Sequence, residues 1–162
     1  MDGALLAVLW TASFACYVMG FETPFLGLVA LVLAIVTPFF VARRLRKYRD
    51  TGLEGLISFK RAWAYALMTF FNASLLFAAV HFVYFTWMDK GYFVSMMTKM
   101  MTAPENAQAL GSEMLAAVKQ SLSAIAGMRP IDLALNIMMS NMIIGFFLSL
   151  PVAAAMKKLK AW

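Results

Sequence analysis

Cysteine, histidine and charge are scarce in this chain of 162 residues. It has one Cys and one His, and Asp, Glu, Lys and Arg together make up 14%. A lone Cys16 excludes an internal disulfide, and no Cys/His spacing suited to zinc exists. Cys16 sits in an apolar run and reads as a small hydrophobe. A soluble domain carries about 25% charged residues, so this chain has too little polar surface to coat itself in water. Walker loops, dinucleotide fingerprints, nucleophile elbows and HExxH patterns are all missing. The carboxylates are scattered, with no pair spaced for acid–base work. No enzyme activity, cofactor or metal is expected from such a sequence.

What is present is hydrocarbon. Apolar residues make up 63% of the chain, the composition of an integral membrane protein. Four stretches approach the roughly 20 apolar residues that a spanning helix needs: about 4–20, 24–42, 63–87 and 131–155. Glu22, Thr23 and Pro24 separate the first two, so these form a tight hairpin, with Pro24 in the first turn of its helix. Pro151 lies in the last turns of the fourth span. The first run lacks the basic flank of a signal peptide, since residue 2 is Asp, and it reads as a span. The expected architecture is an all-α bundle, one membrane domain over 1–162.

Charge sets the expected orientation. Of the 14 Lys and Arg residues, ten lie between spans two and three or after span four. These are Arg43, Arg44, Arg46, Lys47, Arg49, Lys60, Arg61, Lys157, Lys158 and Lys160. The positive-inside rule then places both ends and a basic loop, 43–62, in the cytoplasm, and segment 88–130 outside. Trp63 and Trp87 bracket span three as interfacial aromatics. The net charge of +6 is thus a matter of topology and not of nucleic-acid binding. The expected partners are the bilayer and its anionic lipids, with Arg43, Arg44, Arg46, Lys47 and Arg49 holding headgroups. The same basic loop suits docking of a protein partner.

Segment 88–130 is too long for a bare loop and reads as two amphipathic helices. Tyr92, Phe93, Met96, Met97, Met100 and Met101 draw one apolar stripe. Thr102 and Glu105 match a capping box ahead of a second helix over about 103–126. Its stripe is Leu110, Met114, Ala117, Val118, Leu122 and Ile125, and Gly127 ends it. This hairpin lies on the lipid surface, caps the bundle or binds a partner. The chain's methionines offer thioethers to Cu(I) in principle, but without a Cys or His cluster they read as packing residues.

Polar residues within spans mark packing contacts or function. At 1.5 Å per residue, Asn72 and Asn141 both fall near the bilayer midplane, which predicts a hydrogen bond between them. His81 and Asn136 lie nearer the outer edge, and a histidine there can titrate. Asn72, His81, Asn136 and Asn141 are therefore either interhelical glue or the lining of a solute path. Two function classes follow: a scaffold or accessory subunit that binds lipids and a partner, or a small oligomeric channel or transporter.

The run Tyr48-Arg49-Asp50-x-Gly52, followed by Gly55-Leu56-Ile57-Ser58-Phe59 and Ala62, resembles a motif of the bacterial membrane family catalogued as domain of unknown function 4199. The close of the chain is similar too, through Asn141, Gly145, Ser149-Leu150 and Lys157-Lys158. Glu54 stands where members often have Gly, and Lys60 where a small residue is usual. The resemblance implies a four-span protein of the bacterial inner membrane and no reaction. Physically, Gly52 and Gly55 suit a chain reversal, Ser58 suits an N-cap for span three, and Asp50 suits pairing with a neighbouring Arg.

Overall fold

The computed structural model describes residues 1–158, and their side chains except those of 107–110. Six α-helices follow one another: α1 Asp2–Met19, α2 Pro24–Gly52, α3 Phe59–Val83, α4 Tyr92–Thr102, α5 Pro104–Ala126 and α6 Pro130–Met156, with a π-helical stretch over Tyr84–Met88 after α3. Four helical stretches, Asp2–Met19, Pro24–Gly52, Phe59–Met88 and Pro130–Met156, are long and apolar enough to cross a membrane. Pro24 opens α2 at its first turn and Thr23 precedes it in an extended conformation, as the sequence predicts.

The chain divides into two compact units. The first holds Met1–Ala79 and the described residues from Ile137 onward, and the second holds Val80–Asn136. In the first unit a core of Leu6, Val41, Leu45, Ile57, Phe70 and Val152 is nearly inaccessible. Ala62, Ala66 and Ala73 on α3, also buried, are small enough for neighbouring helices to approach closely. α6 comes close to α3 at Gly145. A Cβ there would stand 2.6 Å from the Cβ of Phe70, so no larger residue seats without a shift. α1 runs alongside α3, with Trp10 stacked on Phe70 at 6.2 Å between ring centroids and edge-on to Phe77 at 5.6 Å. α1 and α2 are antiparallel, joined by Trp10 Nε1 donating to Thr37 Oγ1 (3.1 Å) and Ser13 Oγ to the Ala30 carbonyl (2.9 Å). The opposite face of α2 exposes Phe25, Leu28, Leu31, Val32, Ile35 and Phe39, each more than half accessible. An apolar strip of that length needs lipid or a partner to cover it.

α2 differs from the expected span in one respect. It remains helical through the basic residues to Gly52, so the reversal uses only 53–58. Arg and Lys are good helix formers, and Arg46 with Asp50 makes an i,i+4 pair at 3.7 Å of the kind that supports an exposed helix.

In the second unit α4 and α5 occupy the ranges that their stripes predict, but α5 begins differently. Its N-cap is Ala103, with no side-chain cap bond. Thr102 still belongs to α4, and its hydroxyl bonds back to the Thr98 carbonyl at 2.8 Å, so it is not free to close a capping box. The inward stripe of α5 also differs. Leu122 is buried, Leu115, Val118 and Ile125 are half-buried, and Met114 and Ala117 are exposed; Leu110 lies outside the described side chains. Gly111 breaks the helix with φ 74° and ψ 164°, a conformation almost confined to glycine. That break shifts the face presented by the residues after it.

Candidate functional site: the basic end of the first unit

The start of α1, the end of α2, the start of α3 and the end of α6 meet at one end of the first unit. Asp2 in the first turn of α1 accepts from Arg44 Nε on α2 at 2.9 Å, and its second oxygen accepts from the Tyr65 hydroxyl on α3. The Tyr65 ring stacks on Tyr48 of α2, with centroids 4.7 Å apart and planes 14° from parallel. Three helices are thereby pinned around one carboxylate. Its two partners satisfy both of its oxygens, which half-burial would otherwise penalise.

The residues of the family-like motif continue this network. The Arg49 side chain is 12% exposed. Its Nη1 donates to the carbonyl of Met156, the last residue of α6, at 3.2 Å, and its Nε donates to Asp50 Oδ1 at 2.7 Å. A cation at a helix C-terminus satisfies an orphan carbonyl and opposes the negative end of the dipole. Asp50, past the apolar stretch of α2, is held below the usual carboxylate range, first by the Arg49 hydrogen bond and then by the nearby charges of Arg49, Arg46 and Lys158.

The turn that follows is bound on both sides. Leu53 N and Gly55 N both donate to the Arg49 carbonyl, at 3.1 Å each. Glu54 and Gly55 take positive φ, 51° and 80°, so the left-handed pair is Glu54-Gly55, while Gly52 closes α2 inside the helix. A non-glycine residue in that region is disfavoured by about 1 kcal/mol, a cost that Glu54 carries here. Ile57 then exchanges two backbone hydrogen bonds with Lys158, N to O at 2.8 Å and O from N at 3.0 Å. This short antiparallel bridge straps the turn to the tail. Ser58 precedes α3, and its Oγ accepts from Arg61 N at 3.4 Å, the capping role its position predicts. Phe59 opens α3 and is exposed.

The five cations expected to hold lipid headgroups therefore divide. Arg44 and Arg49 are engaged inside the protein, whereas Arg43, Arg46 and Lys47 are exposed. No sequence signal marked Asp2 or Tyr65 as partners of Arg44, because the three come from separate helices. Nor does any sequence signal pair Trp63 with Ser149: Trp63 Nε1 donates to Ser149 Oγ at 2.8 Å, and Ser149 Oγ donates to the Phe146 carbonyl at 2.7 Å.

The polar residues of the spans are not brought together as expected. Asn72 donates to the Met68 carbonyl of its own helix at 2.8 Å, and among the described residues no hydrogen bond joins it to Asn141. The reason is rotational register. Asn72 lies on the side of α3 facing α1, where a Cβ at Gly3 would stand 2.7 Å from the Asn72 Cβ, while α6 meets α3 through Gly145 against Phe70. Residues two apart on a helix point to nearly opposite sides. Asn141 is half-buried and Asn136 exposed. In the second unit His81 is 2% exposed, with its ring 5.9 Å from Phe85. Asp89 is also buried there, and its carboxylate accepts from Gly91 N (3.0 Å) and Phe93 N (2.8 Å) at the start of α4. Among the described residues no group of three or more His, Cys, Asp or Glu could hold a metal ion.

These features define an all-helical protein with four helices suited to a membrane and a cross-linked polar end on its first unit. The chain belongs to the family described as Protein of unknown function (DUF4199), whose model matches residues 2–158. No curated protein and no solved structure matches it.

Proposed function

We propose that the protein is a four-span protein of the bacterial inner membrane, with both ends and the basic turn in the cytoplasm and the α4–α5 hairpin outside. We further propose that it is a non-enzymatic scaffold or accessory subunit, presenting its basic end and apolar helix faces to anionic lipids and to a membrane or cytoplasmic partner. One observation carries this reading: four helix ends are cross-linked around Asp2, Arg49 and Ile57, while Arg43, Arg46 and Lys47 beside them stay exposed. The polar groups that a reaction would recruit there are engaged with one another, and the exposed cations form an outer face that attracts anionic headgroups at about 1 kcal/mol each. The positive-inside rule supports the orientation.

The test is twofold. Reporter fusions at residue 1, within 43–61 and after 158 are expected to report one side of the membrane, and fusions within 103–126 the other. Copurification from native membranes, read by mass spectrometry, is expected to give a stoichiometric protein partner. A pure homo-oligomer that conducts a solute in liposomes would instead support a channel.

A further inference from the structure

α3 and α6 run antiparallel in the first unit, and their seam is not closed along its whole length. Phe70 against Gly145 and Trp63 against Ser149 are the tight contacts. Beside them opens a cleft of about 570 Å³, walled by Leu67, Met68 and Phe71 from α3 and by Met139, Met142 and Ile143 from α6.

Helical periodicity carries both walls to the basic end. Lys60 stands two turns before Leu67 and three before Phe71, on the cleft face of α3. Lys157 stands five turns after Met139, on the cleft face of α6, and its N still donates to the Ala153 carbonyl at 3.0 Å, so the helical register reaches it. Both lysines are exposed. Trp63 shares the Lys60 face one turn further in and packs edge-on to Phe146 at 5.8 Å. Along the axis Lys60 is roughly 10 Å from Leu67 and 16 Å from Phe71, close to the half-thickness of a hydrocarbon core, about 15 Å.

We propose that this seam binds one anionic glycerophospholipid, its phosphate held between Lys60 and Lys157, its glycerol level with Trp63, and an acyl chain in the cleft. The proposal rests on the membrane reading above and adds one specific lipid site to the general attraction of the exposed α2 cations. An apolar cleft alone accepts any lipid tail, but two cations in register at its head select a charged one. They also favour a phosphate over an apolar helix of a second copy, which has no use for them.

The full chain is placed in nanodiscs of equal phosphatidylglycerol and phosphatidylcholine, and retained lipids are counted by native mass spectrometry. Wild type is expected to keep one phosphatidylglycerol in preference. The double variant Lys60→Gln/Lys157→Gln is expected to bind it roughly tenfold to thirtyfold more weakly. Lys99→Gln/Lys119→Gln removes the same charge from the second unit, where both lysines are exposed, and is expected to leave retention unchanged. Ile143→Trp fills the cleft without altering charge and is expected to release the lipid; Met139→Phe serves if that variant does not fold. The proposal is overturned by equal retention of both lipids in wild type, by equal loss in the two charge variants, or by a filled cleft that keeps its lipid. It is also overturned if filling the cleft splits a dimer. Extraction of wild type from vesicles by alkaline carbonate would sink the underlying membrane reading instead, a result distinct from these.

Discussion

In the first unit, polar side chains reach across the fold. Arg44 meets Asp2 over 42 positions of chain, Tyr65 meets Asp2 over 63, Trp63 meets Ser149 over 86 and Arg49 meets Met156 over 107. In the second, the Asp89 carboxylate bonds backbone groups two and four positions on, and Arg129 pairs with Asp132 three positions on at 2.6 Å. The long contacts fix how helices stand against each other, because each restrains two rods of separate origin. The short ones set only how one helix hands over to the next. Apolar burial follows the same division. The first unit has a continuous core around Phe70 and Leu45, whereas α4 has no fully buried residue and α5 buries Leu122.

Substitutions can break that contrast. Gly145→Ala forces a methyl group to within 2.6 Å of the Phe70 Cβ and is expected to destabilise the first unit by about 3 kcal/mol, measured by denaturant titration in detergent micelles. Asp2→Ala leaves Arg44 and Tyr65 without their acceptor; the expected loss is about 2 kcal/mol, and Tyr65→Phe should recover only part of it. Asp89→Ala removes the bonds to Gly91 N and Phe93 N. Its loss should be nearer 1 kcal/mol, with faster amide exchange confined to the start of α4 and none at the basic end. A spread of exchange from α4 to Tyr65 would erase the distinction between local and long contacts. The smallest effect should be favourable. Glu54→Gly relieves a left-handed residue and is expected to raise stability by under about 1 kcal/mol, a modest rise in melting temperature.

Much of this fold was legible in the sequence. Spans, the Pro24 start, the Ser58 cap and the α4 range follow from apolar length and local turn chemistry, which depend on neighbours in sequence. The motif near Tyr48 was legible as a family resemblance, and the family is now established over residues 2–158. The partners of that motif were not legible. A span that is apolar all round carries no periodic signal of which face meets which neighbour, so the depth of Asn72 was readable and its rotation was not. For the same reason Asn141 was expected as its partner, when α1 lies on that side of α3. The sequence assigns Arg44 and Arg49 to lipid headgroups or a docking partner because their acceptors, Asp2 and the Met156 carbonyl, are remote in the chain.

The bridge between Ile57 and Lys158 also bears on biogenesis. The turn at 53–58 leaves the ribosome with α2, but its backbone partner is among the last residues described. Until translation reaches that point, Ile57 has no mate and the end of α6 does not yet exist to receive Arg49. Synthesis of the first three long apolar helices therefore precedes the locking of their shared end, and a nascent chain stalled before Lys158 would carry an unlatched turn.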